Sequence, residues 1–228
     1  MTIGMVVLAG GIGRRIGRPV PKQFLLLGGK PLLVHVLEKA RAIKEIERVV
    51  ITCPEAYVGE TRQILKNHRF DRRFECILGG STRQESVYNG LVALEGVDAV
   101  VLHEAVRPLV TVEEFRAIIE DADENATYGA PISFTVLRGR EYVEGILARE
   151  ELINVQLPQK FNRAQLLEAH ERARADGSQF TDDASLFLHH TGGKVRILPG
   201  SDRNVKITVP TDIVVAEGLY SDLIGRAS

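Results

Sequence analysis

Short apolar runs alternate with amphipathic stretches along most of this 228-residue chain. The runs have the length of buried strands, and the stretches between them repeat apolar residues at helical spacing. The candidate strands cover residues 3–9, 48–53, 74–78, 99–102, 195–198 and 205–208. Strands that alternate with helices predict an α/β fold, in which a largely parallel sheet carries helices on both faces.

Several helix starts follow from residues that can cap a helix. Thr111, Asn162 and Thr211 each precede a stretch with helical spacing, and their side-chain oxygens can accept a hydrogen bond from the first turn. Helical spacing also follows Pro31 and covers 84–94. We therefore expect helices at these places, between the predicted strands.

Length and charge limit the class of protein. The length suits one domain spanning 1–228, and the balance of 29 Lys+Arg against 30 Asp+Glu argues against a generally basic, nucleic-acid-binding surface. No apolar run reaches the roughly 18 residues of a membrane helix. Two cysteines, Cys53 and Cys76, cannot build a disulfide framework. We expect a cytoplasmic protein with no membrane or nucleic-acid partner.

The segment at about 132–156 breaks the alternation. Its apolar residues are interrupted by Gly139 and Gly145, which predicts a hairpin. One interpretation is a plain surface hairpin. The other is an arm that pairs with a second copy of the chain, because an isolated hairpin is marginally stable in water.

A glycine-rich loop follows the first predicted strand. The run L-A-G-G-I-G-R-R-I-G at 8–17, followed by P-K-Q at 21–23, places glycine backbone and cations where open α/β sheets bind ligands. Such a loop suits phosphate groups. The dinucleotide fingerprint fails because Ile16 replaces its third glycine, and a P-loop fails because Pro31 follows Lys30 in place of a hydroxyl residue.

This loop resembles the L-A-A/G-G-x-G-x-R-M-G…P-K-Q signature of nucleotidyltransferases, and specifically the 2-C-methyl-D-erythritol 4-phosphate cytidylyltransferase family. Five further segments match that family in order. They are 79–87 (G-G-x-x-R-x-x-S-V), 103–108 (H-D-A-A-R-P), 156–161 (Q-T-P-Q-x-F), 181–183 (T-D-D) and 204–208 (N-I-K-I-T). The resemblance covers nearly the whole chain.

The resemblance implies a Rossmann-like fold with a protruding β-arm used for dimerisation. It implies transfer of CMP from CTP to 2-C-methyl-D-erythritol 4-phosphate in isoprenoid biosynthesis, with release of pyrophosphate and with Mg²⁺ or another divalent cation bound together with CTP. The acceptor phosphate has a second pKa of about 6 and needs little general-base help. Catalysis would therefore consist mainly of positioning and charge cancellation.

The resemblance also assigns roles to individual residues. The catalytic cations would be Arg15, Lys22 and Lys206. The CTP-binding residues would be Ala9, Gly10, Gly11, Gly13, Gly79, Gly80, Ser81 and Ser86. The acceptor-binding residues would be Glu104, Arg107, Thr135, Arg149 and Leu157, with Glu104 also a candidate metal ligand. Arg83 fits either a pocket-shaping role or a solvated position, and Asp182 and Asp183 fit a helix cap first and a site role second.

The acceptor side departs from the family pattern. Glu104 stands where the family has Asp, Phe134 replaces an acidic residue, and Leu157 replaces a threonine. The related ribitol 5-phosphate cytidylyltransferases have a similar first loop and share the valine at position 106, so ribitol 5-phosphate is the alternative acceptor. From another class, the chain could be a CTP-binding module without catalysis.

Overall fold

The computed structural model describes residues 1–11 and 20–225, and it omits the side chains of residues 224 and 225. A seven-stranded sheet forms its centre, with strand order β11-β7-β10-β6-β1-β4-β5. These strands are β1 (Ile3–Leu8), β4 (Ile46–Cys53), β5 (Phe74–Leu78), β6 (Ala99–Glu104), β7 (Ala126–Pro131), β10 (Ile153–Asn162) and β11 (Arg196–Pro199). The strand β10 runs antiparallel to both of its neighbours, and the other pairings are parallel.

Helices cover both faces of this sheet, as predicted. The helices are α1 (Leu32–Arg41), α2 (Glu55–Asn67), α3 (Arg83–Ala93), α4 (Val112–Glu120), α5 (Arg163–Asp176), α6 (Asp183–Thr191) and α7 (Pro210–Gly225). Met5 and Val7 of β1 pack in one core cluster with α1, α2 and α4. Val6 and Leu8 pack in a second cluster with α3, α5 and α6. Period-two alternation along a buried strand therefore divides the core into two layers.

The strand order creates a switch point beside β1. The chain proceeds from β1 to β4 and β5 on one side, and then returns to place β6 on the other side of β1. Open α/β sheets bind ligands at the carboxyl ends of strands at such a point. The first residues of the glycine loop, 9–11, and Glu104 at the end of β6 both lie there, since Leu8 pairs with Glu104.

A third, smaller core cluster lies at the edge of the molecule. It joins a short hairpin, β2 (Leu26–Leu27) and β3 (Lys30–Pro31), to the last helix. Its members include Leu27, Leu109, Ile207 and Ala216. Packing of Ile207 in this cluster fixes the neighbouring Lys206 beside the cavity described below.

The hairpin predicted at 132–156 is confirmed in part. It contains β8 (Leu137–Gly139) and β9 (Val143–Ile146), which pair with each other and leave large apolar side chains exposed. Its predicted end is too late, because residues 153–156 already belong to β10 and pair with β7. Whether the hairpin pairs with a second copy stays a prediction.

Two predicted features are wrong. The segment 205–208 forms no strand. Within the described residues, one backbone–backbone hydrogen bond, from the Ile207 N–H to the Val106 carbonyl, joins it to a distant part of the fold, and a single bond does not make a ladder. The last helix begins at Pro210, so Thr211 lies inside its first turn. The side chain of Asp212 instead accepts the Thr208 and Val209 N–H groups at 2.6 and 2.9 Å.

The other two predicted caps are confirmed. The Thr111 hydroxyl accepts the Glu114 N–H, and the Glu114 carboxylate accepts the Thr111 N–H, which completes a capping box. The Asn162 side chain accepts the Gln165 N–H. Within residues 1–11 and 20–225, no helix has both the length and the apolar character needed to cross a membrane.

Candidate active site

A cavity of about 270 Å³ lies at the carboxyl ends of β1, β5 and β6. Nine of the predicted site residues line it: Ala9, Gly10, Gly11, Lys22, Gly80, Ser81, Ser86, Glu104 and Lys206. Gly13 and Arg15 lie outside the described residues. The topology thus gathers residues from four separate sequence segments at one place.

Close packing around Gly79 and Gly80 shapes one wall of the cavity. The Ser86 hydroxyl accepts the Gly80 N–H at 3.0 Å and donates to the Thr82 carbonyl at 2.9 Å. A Cβ atom on Gly79 would lie 3.0 Å from the Ser86 hydroxyl, and one on Gly80 would lie 2.1 Å from the Glu85 Cβ. Position 80 therefore needs glycine for the loop to approach the start of α3, and position 79 leaves little room for a side chain.

The Glu104 carboxylate lies among three cations. The Lys206 ammonium lies 2.7 Å from Oε1, the Arg107 Nε lies 3.2 Å from Oε2, and the Arg83 Nε lies 3.7 Å from Oε1. Burial alone would raise the pKa of Glu104, but Lys206, Arg107 and Arg83 together hold it below its usual range. Glu104 is therefore ionised at neutral pH.

A metal ion does not fit Glu104 in this arrangement. Both carboxylate oxygens already face cations, and a divalent ion would add positive charge to a site that holds three. Among the described residues, no group of three His, Cys, Asp or Glu side chains is placed to hold a metal ion. Glu104 is therefore not placed to hold the expected divalent cation.

Lys22 and Gln23 form the opposite wall. The Lys22 ammonium donates to the Thr208 carbonyl at 2.8 Å, which ties the P-K-Q segment to the segment that carries Lys206. Gln23 is 1% exposed, and within the described residues neither atom of its side-chain amide has a hydrogen-bond partner. Sequence reasoning did not assign Gln23 to the site, although it belongs to the P-K-Q motif.

Two side-chain contacts fix Arg107 below the cavity, and a further bond links its partner Asn204 to Leu157. Besides Glu104, its guanidinium donates to the Asn204 carbonyl at 2.8 Å, and the Asn204 amide donates to the Leu157 carbonyl at 2.6 Å. Leu157 is buried and does not line the cavity. Within one chain it therefore reaches the predicted acceptor side through its backbone.

Thr135 and Arg149 do not join the cavity within one chain. Both are exposed on the segment around the β8–β9 hairpin. Arg149 donates to the Ser133 carbonyl and pairs with Glu150, both at 3.3 Å. Their predicted role in acceptor binding needs a second copy of the chain.

Arg83 lines the cavity and pairs with two carboxylates, which favours the pocket-shaping role over a freely solvated position. Its Nη1 atom lies 2.7 Å from Asp183 Oδ2, while its Nε faces Glu104. Asp183 also accepts a bond from His170 at 3.0 Å, and both of these residues are buried. The neighbouring Asp182 caps α6 through the Ala184 and Ser185 N–H groups, as predicted.

The cavity has glycines in its wall, carries an excess of cations and lies at the switch point of the sheet, which suits a phosphorylated nucleotide. Comparison with known protein families agrees and identifies the chain as a nucleotidyltransferase. The family profile described as 2-C-methyl-D-erythritol 4-phosphate cytidylyltransferase matches residues 3–221. The chain belongs to this family.

Individual relatives are similar over nearly their whole length. The 2-C-methyl-D-erythritol 4-phosphate cytidylyltransferase of Geobacillus kaustophilus is 36% identical, over 97% of this chain and 98% of the relative. The crystal structure of 4-diphosphocytidyl-2C-methyl-D-erythritol synthase from Anaerococcus prevotii superposes with a TM-score of 0.84, at 26% identity over 96% of this chain and 98% of that one. The cytidylyltransferase structure from Thermus thermophilus superposes with a TM-score of 0.78, at 29% identity and the same two coverages.

Proposed function

We propose that this enzyme transfers CMP from CTP to 2-C-methyl-D-erythritol 4-phosphate. The observation that carries the proposal is the convergence of Lys22 and Lys206 on one cavity, beside the Gly80–Ser86 wall. Family membership supports the same activity. In the reaction, an oxygen of the acceptor phosphate forms a bond to the α-phosphorus of CTP, and the bond from that phosphorus to pyrophosphate breaks.

The described side chains suit this reaction through charge more than through proton transfer. Two highly charged anions must meet, and Lys22 and Lys206 would offset their repulsion at the triphosphate and at the attacked phosphorus. Burial lowers the pKa of His103 to about 3, so this histidine is neutral at physiological pH and serves packing against Phe115. The acceptor phosphate, largely a dianion above its second pKa of about 6, attacks without a protein base.

The nucleotide base would lie against the glycine wall. Glycines at positions 79 and 80 let the backbone approach a planar base closely, and backbone groups there can read its amino and carbonyl edge. The Ser86 hydroxyl holds that backbone in place through the Gly80 N–H. This wall would provide the preference for cytosine.

The acceptor would bind on the Glu104 side of the cavity. Glu104 can accept hydrogen bonds from the polyol hydroxyls, while the cations around it attract the phosphate. We further propose that the arm of a second copy completes this side with Thr135 and Arg149. The exposed apolar side chains of Phe134, Tyr142 and Ile146, each at least 79% exposed, support pairing of the arms.

A divalent cation, expected to be Mg²⁺, would accompany CTP. Because Glu104 does not fit as its ligand, we propose that the triphosphate and water hold the ion. We also propose that the enzyme works in the cytoplasm, where reducing conditions keep Cys53 and Cys76 as the free thiols seen here.

Pyrophosphate release tests the proposal. Purified enzyme would be assayed with 2-C-methyl-D-erythritol 4-phosphate, Mg²⁺ and each of CTP, UTP, ATP and GTP. We expect kcat/KM to be highest for CTP. Absence of turnover with CTP, together with tight CTP binding by calorimetry, would show a binding module without catalysis.

A further inference from the structure

Three cations surround Glu104, and they differ in how firmly they are held. Arg107 is 9% exposed and also donates to Asn204, and Arg83 is 24% exposed and also pairs with Asp183. Lys206 is 43% exposed, and within the described residues its ammonium pairs with Glu104. Of the three, Lys206 is therefore the cation that can leave Glu104.

Departure of Lys206 would leave Arg83 as the cation that faces Oε1 of Glu104, because Arg107 contacts the other oxygen, Oε2. Glu104 is 6% exposed, so cationic partners at its two oxygens offset the cost of burying the charge. Oε1, the oxygen that Lys206 contacts, is the one that Arg83 Nε already faces at 3.7 Å. Arg83 Nη2 is buried and makes no hydrogen bond within the described residues, so the guanidinium has donor capacity to spare.

Two buried residues from other elements hold Arg83 in this position. Asp183, at the start of α6, pairs with Arg83 Nη1 at 2.7 Å, and His170 of α5 bonds to the other oxygen of Asp183 at 3.0 Å. Neither residue lines the cavity. Their side chains are at most 1% exposed, so the arrangement is well fixed by packing.

We infer that Arg83 is a positioning residue, which Asp183 and His170 hold beside Glu104 so that Oε1 of this carboxylate keeps a cationic partner when Lys206 turns to a substrate phosphate. The inference rests on the proposed function, in which Lys206 contacts phosphate. It assigns a role to Arg83, His170 and Asp183, which belong to three different helices and meet only in the fold.

The charged groups around Arg83 and Glu104 determine the pKa that a titration of Glu104 would report. Glu104 faces Lys206, Arg107 and Arg83, and the adjacent His103 is neutral above about pH 4 because burial lowers its pKa to about 3. Arg83 faces Asp183 and, more distantly, Asp182. Removal of the Arg83 charge should therefore raise the pKa of Glu104.

The test combines kinetics with a titration that does not depend on activity. In Arg83→Met we expect kcat to fall roughly 10- to 100-fold while KM for CTP stays within about twofold, because Glu104 is misplaced and the glycine wall is intact. NMR of the protein with ¹³C-labelled glutamate carboxyls, assigned with Glu104→Gln, should show the titration midpoint of Glu104 raised above that of the wild type. Arg83→Lys should return the midpoint toward that of the wild type but restore kcat only in part, since one ammonium cannot contact both carboxylates.

Controls separate a positioning role from a loss of stability. His35→Gln alters another buried histidine, one that bonds to the Leu27 carbonyl away from Glu104, and should change neither kcat nor the midpoint. If Arg83→Met does not fold, Asp183→Asn serves in its place, with the same expected fall in kcat. An unchanged kcat in a folded Arg83→Met or Asp183→Asn variant would overturn the inference. If the wild type itself shows no turnover, the proposed function fails, and an unshifted Glu104 midpoint in Arg83→Met would overturn the inference separately.

Discussion

At the residue scale, the charge balance of the cavity depends on a few side chains. Arg83, Arg107 and Lys206 outnumber the two carboxylates that they contact, Glu104 and Asp183. The surplus of positive charge suits a site that must hold several phosphate groups. The exposed position of Lys206 lets it serve substrate without a large contribution to folding.

Lys206→Met should therefore separate activity from stability. We expect kcat to fall roughly 100-fold or more, by analogy with removal of one oxyanion donor, while the free energy of unfolding changes by less than about 1 kcal/mol. Lys66→Met, an exposed lysine on α2, is the matched control and should leave both quantities unchanged. Steady-state kinetics and urea unfolding would be measured for Lys206→Met and Lys66→Met. Equal kcat values for these two variants would contradict the role of Lys206.

Asp183 should make folding sensitive to acid. Burial alone would raise the pKa of Asp183, but Arg83 and His170 lower it to about 2, below the unfolded value of about 3.9. A carboxyl with a depressed folded pKa stabilises the protein above its unfolded pKa, and this stabilisation is lost as pH falls from about 4 toward 2. It corresponds to roughly 2–3 kcal/mol.

Urea unfolding at a series of pH values checks this expectation. The free energy of unfolding of the wild type should decline between about pH 4 and pH 2. The free energy of unfolding of Asp183→Asn should be lower than that of the wild type above about pH 4 and should decline less between about pH 4 and pH 2. Parallel curves for the two proteins would contradict a depressed pKa of Asp183.

At the scale of elements, strands with strong apolar patterns were predictable and others were not. The sequence of β5 allowed its bounds to be predicted as 74–78, and β1 and β4 followed to within two residues. The strand β10 was missed because Gln156, Gln159 and Lys160 are buried polar residues whose partners come from distant segments. Such partners cannot be read from the local pattern.

Two other elements were missed for different reasons. The helix α2 fully buries only Thr61 and Leu65 and is polar on average, so few apolar residues mark it in the sequence. The strand β7 was missed because it contains Gly129, a residue that weakens a strand pattern in the sequence. Glycine is present there because a side chain would collide with Ile153 and Ile197 of the neighbouring strands. The site shows the same limit: the motifs predicted the cavity wall, whereas the Arg83–Asp183–His170 contacts arise only from the packing of α3, α5 and α6.

The close approach at Gly80 gives a prediction for one loop. In Gly80→Ala the new Cβ would collide with Glu85 at the start of α3, so we expect KM for CTP to rise at least tenfold and stability to fall by about 1–3 kcal/mol. Gly59→Ala is the matched control, because a Cβ there meets nothing within 4 Å and alanine favours the interior of α2. A Gly80→Ala variant with unchanged KM would contradict the proposed cytosine wall.

At the scale of the whole molecule, the predicted acceptor-binding residues do not all meet within a single chain. Thr135 and Arg149 lie on the arm, and the exposed apolar side chains near them include Phe134, Tyr142 and Ile146. Pairing of two arms would cover this surface and bring the two polar residues toward another cavity. The dimer stays a prediction, which two variants can test.

Arg149→Ala should raise KM for the acceptor by roughly tenfold and leave CTP binding nearly intact, because its guanidinium would contact only the acceptor phosphate. Ile146→Glu should convert the protein from dimer to monomer in sedimentation experiments, since it places a charge in the apolar contact. The nearby Arg140→Ala, also on the arm, is the control for loss of an exposed arginine. A wild-type protein that sediments as a fully active monomer would contradict this arrangement.

The acceptor that the enzyme prefers tests the whole account most directly. Pyrophosphate release would be measured side by side with CTP, Mg²⁺ and either 2-C-methyl-D-erythritol 4-phosphate or ribitol 5-phosphate. We predict a kcat/KM at least tenfold higher for the methylerythritol phosphate, with Glu104, Phe134 and Leu157 as tolerated departures from the family pattern. A ratio in favour of ribitol 5-phosphate would contradict the account and would mark those three residues as a rebuilt acceptor pocket on a retained CTP site.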